Sequence, residues 1–194
     1  MARQIMTYES LVSDVERLRT LRIGGIFVDS SDDEAEVAKG TLCVRTGLAD
    51  SKAYAGKKNP NSWIMKAAGA TDTEIYAAAP HATDGGKNSN GIISYFGANT
   101  LEIVTPAGSM IGYERMVDGY MYNFGEGNFS TQPDLGEAAK KYATIADGKL
   151  VATATKPTTG VYFEVLRAVT FTEGTRSASG YCVMFRNTMA VSGD

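Results

Sequence analysis

The chain has 194 residues, of which 43% are hydrophobic and 21% charged, and a formal net charge of −3. Such a chain is long enough to bury a core and too apolar for wholesale disorder. Lysine and arginine are scattered, which argues against a dedicated nucleic-acid binder, and no segment approaches the roughly 18 apolar residues of a membrane span.

No apolar run of signal-peptide length precedes Glu9, so synthesis and retention in a cytoplasm are expected. Between Tyr8 and Arg19, Leu11, Val15 and Leu18 recur at helical spacing, which predicts a short amphipathic helix stopped by Gly24 and Gly25. The next stretch reads as strand, acidic turn, strand. Ile26–Val28 is apolar, Asp29–Glu36 is hydrophilic, and Thr41–Arg45 is β-branched and apolar again. Gly47–Ser62 is rich in breakers and predicts an exposed loop.

Trp63, Ile64 and Met65 follow, then Glu74, Ile75 and Tyr76 ahead of an alanine run closed by Pro80. Alanine favours helix there, but the short apolar pieces favour strand. His81–Gly91 is a second loop. From Gly91 to Gly125, apolar runs are broken every eight to twelve residues or so, the spacing of an all-β sandwich or barrel. Tyr95, Tyr113, Tyr120 and Tyr122 suit half-buried faces whose hydroxyls reach water. Gly125–Glu137 is a further break.

Lys141–Ala146 then runs into Asp147-Gly148, a type I′ hairpin dipeptide, with Lys149–Thr155 as the returning strand. A second pairing is expected across Lys156–Gly160. It places Leu150, Ala152 and Ala154 on one core face and Val161, Phe163 and Val165 on the other, with Glu164 and Arg167 on opposite faces of their strand. The fold expected is mainly β: a single β-barrel or β-sandwich-like domain with a short N-terminal helix or arm and long loops. Residues 1–25 form the arm or helix and 26–194 the β-rich domain.

Chemistry-bearing constellations are sparse. His81 is the only histidine, which removes every two-histidine motif. Asp84 is near it, but the chain lacks the Gly-x-Ser-x-Gly elbow of a nucleophilic serine. Asp29, Asp32, Asp33, Glu34 and Glu36 could gather a hard cation such as Ca²⁺, yet the spacing lacks the glycine and terminal glutamate of an EF-hand, and a solvated connector is expected. Gly125-Glu126-Gly127-Asn128 lacks the third glycine of a dinucleotide fingerprint. Trp63, Tyr54 and Tyr76 could stack on a sugar, although ordinary packing is the expectation. Asn128-Phe129-Ser130 is a formal glycosylation acceptor without a secretory signal to use it. Cys43 and Cys182 lie in strand-like runs and are expected as buried free thiols. No catalytic, cofactor-binding or metal-ligating residue is therefore assigned, and no cofactor is expected.

The run KYATIADGKLVATATKPTTGVYFEVLRAV, followed by GYCVMFRN, resembles the closing strands of small β-rich virion proteins of tailed bacteriophages that coat or cement the head. In those proteins a Gly-Lys-Leu hairpin strand, a Pro-Thr-Gly turn and a Tyr-Phe-x-Val strand recur. GGIFVDS and KGTLCVRTG fit the same arrangement. The resemblance implies a non-enzymatic decoration or cement protein on the capsid surface, made in the host cytoplasm. Its implied partners are the major capsid protein or other virion proteins and further copies of itself, with no nucleic acid and no membrane. EIYAAAPHATDGG has no counterpart there, which leaves a tail or head-to-tail connector subunit as an alternative. A carbohydrate-binding or glycan-cleaving β domain, using Trp63, tyrosines and distant carboxylates, is a further one.

Overall fold

A computed structural model describes residues 4, 6–8, 22–48, 62–80, 103–136, 139–173 and 176–188. Its strands in chain order are β1 (Met6–Tyr8), β2 (Arg22–Phe27), β3 (Val37–Ala38), β4 (Leu42–Leu48), β5 (Trp63–Ala67), β6 (Tyr76–Ala78) and β7 (Val104–Thr105). There follow β8 (Met110–Arg115), β9 (Met121–Gly125), β10 (Phe129–Thr131), β11 (Tyr142–Ala146), β12 (Lys149–Thr153), β13 (Val161–Glu173) and β14 (Arg176–Asn187). The fold is mainly β, as expected. Strands β2-β5-β4-β6-β8 close into a barrel, β1-β9-β14-β13-β11-β12-β10 form a seven-stranded sheet, and β3 pairs with β7.

Alternation along the strands builds two cores. One set of barrel residues, Cys43, Met65, Tyr76, Ala78, Ile111 and Tyr113, packs together inside the barrel. The opposite set, with Leu42, Ala77, Ala79 and the adjacent Met116, joins Tyr122, Phe124, Phe163, Val183 and Phe185 of the large sheet in one cluster. Barrel and sheet thus share a core, and the period of two along each strand is what lets one strand serve both sides.

The first strand of the barrel starts at Arg22, earlier than Ile26, and both Gly24 and Gly25 lie inside it. Neither stops a helix, and the role of Gly25 is close approach. A Cβ on Gly25 would stand 2.7 Å from the Met65 Cγ and 3.0 Å from the Trp63 carbonyl oxygen. The predicted helix falls largely on residues 9–21, outside the described residues. Its first residue, Tyr8, instead ends β1, opposite Tyr122 of β9.

The β11–β12 hairpin matches its prediction: Asp147 (φ 49) and Gly148 (φ 71) both take the left-handed conformation a type I′ turn requires. Its tip is pinned to the barrel, since the Leu42 N–H donates to the Gly148 carbonyl and the Gly148 N–H to the Ala68 carbonyl, each at 2.9 Å. The second expected pairing is not formed. Strand β11 lies between β12 and β13, so Lys156–Gly160 belongs to a crossover, and Ala154 is exposed while Leu150 and Ala152 are buried. The main partner of β13 is β14, from Val161↔Asn187 to Glu173↔Arg176.

A bulge between Val165 and Arg167 shifts that register. Glu164 opposes Met184 and Arg167 opposes Cys182, so the two charged residues share a face rather than standing on opposite ones. Three further readings change. Gly47 and Leu48 belong to β4, and the supposed break after Gly125 holds a 3-10 turn, Glu126–Asn128, and β10 with a buried Phe129. Tyr113 and Tyr122 are fully buried rather than half-buried. Tyr54, His81, Asp84 and Tyr95 lie outside the described residues, as do the rest of 49–61 and 81–102. Among the described residues no helix is long and apolar enough to cross a membrane.

Candidate functional site

The best-formed polar cluster sits at one mouth of the barrel, where β4 ends and β5 and β6 begin. Glu74, just ahead of β6, takes Arg45 Nη2 from β4 at 2.9 Å on one carboxylate oxygen and Arg115 Nε from β8 at 3.5 Å on the other. Tyr76 Oη donates to that second oxygen at 3.0 Å. Burial first, and then the Glu74 carboxylate, push the Tyr76 phenol above its ordinary range, so it remains a donor. The Arg45 guanidinium lies 4.7 Å over the Trp63 ring. Stacking of this kind orients the planar cation and leaves its edge N–H groups for a carboxylate.

At the opposite end of the barrel a cleft of about 620 Å³ is lined by Phe27, Val28, Asp29, Ser30, Thr41, Lys66, Ala67 and Asp147. The acidic turn forms one wall. Asp29 Oδ1 accepts the N–H groups of Ser31 (2.8 Å) and Asp33 (3.0 Å), and Asp32, held at φ 66, pairs with Lys66 Nζ at 2.9 Å. Asp29 and Asp32 therefore build and brace the connector, while Glu34 Oε1 is buried without a hydrogen-bond partner. Asp29, Asp32, Asp33 and Glu36 are solvent-exposed, as the sequence predicts.

A third cluster lies on the large sheet. Glu164 receives Arg186 at 3.3 Å, Lys156 at 3.7 Å and the Tyr162 hydroxyl at 3.4 Å. Both Glu74 and Glu164 thus sit as hubs of multidentate clamps across neighbouring strands, and their chemistry is bracing. No family model matches the chain, and neither does any curated protein or solved structure.

The remaining sequence candidates fall into packing roles. Trp63 carries Arg45 on its ring and packs against the barrel core, and Tyr76 is 3% exposed, so the two do not present an open stacking face. Gly127 and Asn128 are buried in the 3-10 turn, and Asn128 Nδ2 donates to the Lys39 carbonyl at 3.3 Å, which closes both the phosphate-cradle and the glycan-acceptor readings of that segment. Cys43 and Cys182 are buried free thiols. Burial pushes the Cys43 thiol well above its usual range, so it stays protonated and unreactive.

One titratable group escaped the sequence reading. Glu114 of β8 faces away from the barrel interior, with Arg22 and Ala77 opposite it on the neighbouring strands. Its Oε2 is buried without a hydrogen-bond partner, and the Arg22 guanidinium beside it is committed to the Ala79 carbonyl at 2.9 Å. Burial pushes the carboxyl up to about 7. Below the unfolded carboxylate range both states hold the proton and nothing is lost. As pH rises towards 7 the unfolded chain ionises first, so stability falls, on the order of 2 kcal/mol after allowance for solvent screening. Glu114→Gln should leave the melting temperature unchanged near pH 4 and raise it above pH 7. Equal melting curves for variant and parent at pH 8 would remove the burial argument.

Proposed function

We propose that this chain is a non-enzymatic structural protein of a tailed-bacteriophage virion, a head decoration or cement protein that binds the assembled capsid and stabilises it. The observation that carries the reading is mechanical: the barrel and the large sheet share one core, and their surfaces are cross-braced by the Glu74 and Glu164 clamps. Partly exposed ion pairs of this kind add about 0–1 kcal/mol each, so the shared core supplies the rigidity and the clamps fix the geometry of the strands they join. A second feature fits contact with a shell. Beyond the bulge, Thr170–Glu173 of β13 and Arg176–Ser179 of β14 pair only with each other among the described strands, a two-stranded ribbon that extends past the sheet.

The partner in this reading is the major capsid protein. Purified chain added to shells that lack it should bind at saturable, symmetric positions and raise the temperature at which the shells break. Shells that take up none of it would sink the reading. Labelled chain found on the tail or at the portal vertex instead would move it to the connector role.

A further inference from the structure

Among the described residues the two ends of the barrel carry opposite charge. At one mouth Arg45, Arg115 and Glu74 are 37%, 50% and 35% exposed, two guanidiniums to one carboxylate. Trp63 lies beneath Arg45, and its strand partner Leu48, 41% exposed, adds an apolar shoulder. Arginine and tryptophan together, with an apolar margin, make the residue set that carries most binding energy at protein interfaces.

The other end is anionic. Asp29 and the hairpin-tip Asp147 are exposed and line a cleft whose apolar wall includes Phe27, Val28 and Ala67, and Asp33 and Glu36 of the same acidic turn are exposed as well. Lys66, the cation among the lining residues, is already bonded to Asp32. Because Asp29 holds the N–H groups of Ser31 and Asp33, the turn offers its outer carboxylates on a fixed backbone, and little ordering is left to oppose binding.

We propose that copies of this chain associate head to tail, the acidic turn of one copy seating on the Arg45–Trp63–Arg115 mouth of the next. The occupant is a second copy because a single chain carries both complementary halves. Planar guanidiniums and exposed carboxylates form the charge-assisted, bidentate pairs for which arginine is suited. A contact between two different patches closes into a ring or runs on as a filament. The association stands apart from the capsid reading, since it is measured on the purified chain alone.

Sedimentation velocity on the full chain tests it. At low salt the weight-average sedimentation coefficient should rise with concentration, and at about 0.5 M salt it should fall back to the monomer value. Arg45→Gln with Arg115→Gln removes the mouth, and Asp33→Asn with Glu36→Gln removes the outer turn. Each variant alone should associate at least tenfold more weakly. Mixed in equal amounts they should form a dimer that grows no further, because one intact mouth and one intact turn remain in each pair. If a double variant melts well below the parent, the single changes Arg45→Gln and Glu36→Gln replace it. A parent chain that stays monomeric at low salt, variants that associate as the parent does, or a mixture without the limited dimer would each overturn the proposal.

Discussion

Phe163→Asp is expected to leave no cooperative thermal transition, with loss of the near-ultraviolet circular dichroism that a packed aromatic core produces. Phe163 is 0% exposed and lies edge-on to Phe124 (6.1 Å) and Phe185 (5.3 Å). It belongs to the cluster that also holds Leu42, Ile75 and Ala77 from the barrel side, so its loss reaches both halves of the molecule. Truncating a buried phenylalanine costs about 3–5 kcal/mol, and each edge-on aromatic contact adds about 0.5–1.5 kcal/mol. The carboxylate must then be buried or protonated at further cost. Together these reach the roughly 5–15 kcal/mol by which whole domains are stable. Leu166→Asp, three positions along the same strand at the bulge, is the control: Leu166 is 41% exposed, and its change should stay within about 1 kcal/mol. A Phe163→Asp chain that melts like the parent would put Phe163 on the outer face and undo the core as described.

Why that residue could be placed from sequence, and its strand's neighbours could not, is a matter of range. The Asp147-Gly148 turn was readable because its chemistry is complete in two residues, and the alternation around Phe163 was readable because side-chain direction has a period of two. The order of the strands is another matter. Nothing within Lys149–Val165 says that β11, rather than β12, will lie beside β13, because that choice is made by surface buried against β14 and the barrel. The bulge was hidden for a related reason: Val165-Leu166-Arg167 contains no glycine to mark it, and its effect is to reverse the relation between Glu164 and Arg167.

The barrel mouth shows the same division. Arg45, Glu74 and Arg115 come from separate parts of the chain and meet only when the barrel closes. One local signal was present. Arg45 is two residues after Cys43 and so shares its inward face, and an arginine aimed inward at a strand end has to find an anion or the rim. Trp63 stood out as a stacking residue, and it does stack, but on that arginine. Tyr113 and Tyr122 depart from the half-buried expectation because tyrosine's hydroxyl argues for water while its ring argues for burial, and sequence does not weigh the two. In Tyr122 the hydroxyl is satisfied inside, accepting the Val117 N–H at 3.0 Å.

Gly180→Ala is expected to lower the melting temperature by roughly 6–12 °C, from a destabilisation of about 3 kcal/mol. Gly180 lies on β14 directly opposite Gly125 of β9. A methyl group there would overlap the Phe124 carbonyl oxygen and stand 2.6 Å from the Phe171 ring and 2.9 Å from the Gly125 Cα. Two of the three obstacles are backbone of the adjacent strand, so no rotamer change relieves them and the β9–β14 ladder must open. That ladder carries β9, and through it β1, onto the sheet. The loss should therefore appear as early hydrogen exchange at Tyr122 and Phe124 as well as in the melting curve. Gly47→Ala separates crowding from any general cost of adding a methyl group to a strand glycine. Among the described residues, chain neighbours aside, no atom lies within 4 Å of a Cβ at Gly47, so this change should stay within about 0.5 kcal/mol of the parent. Equal melting temperatures for Gly180→Ala and Gly47→Ala would mean that β9 and β14 do not approach as closely as the register at Gly125 and Gly180 requires.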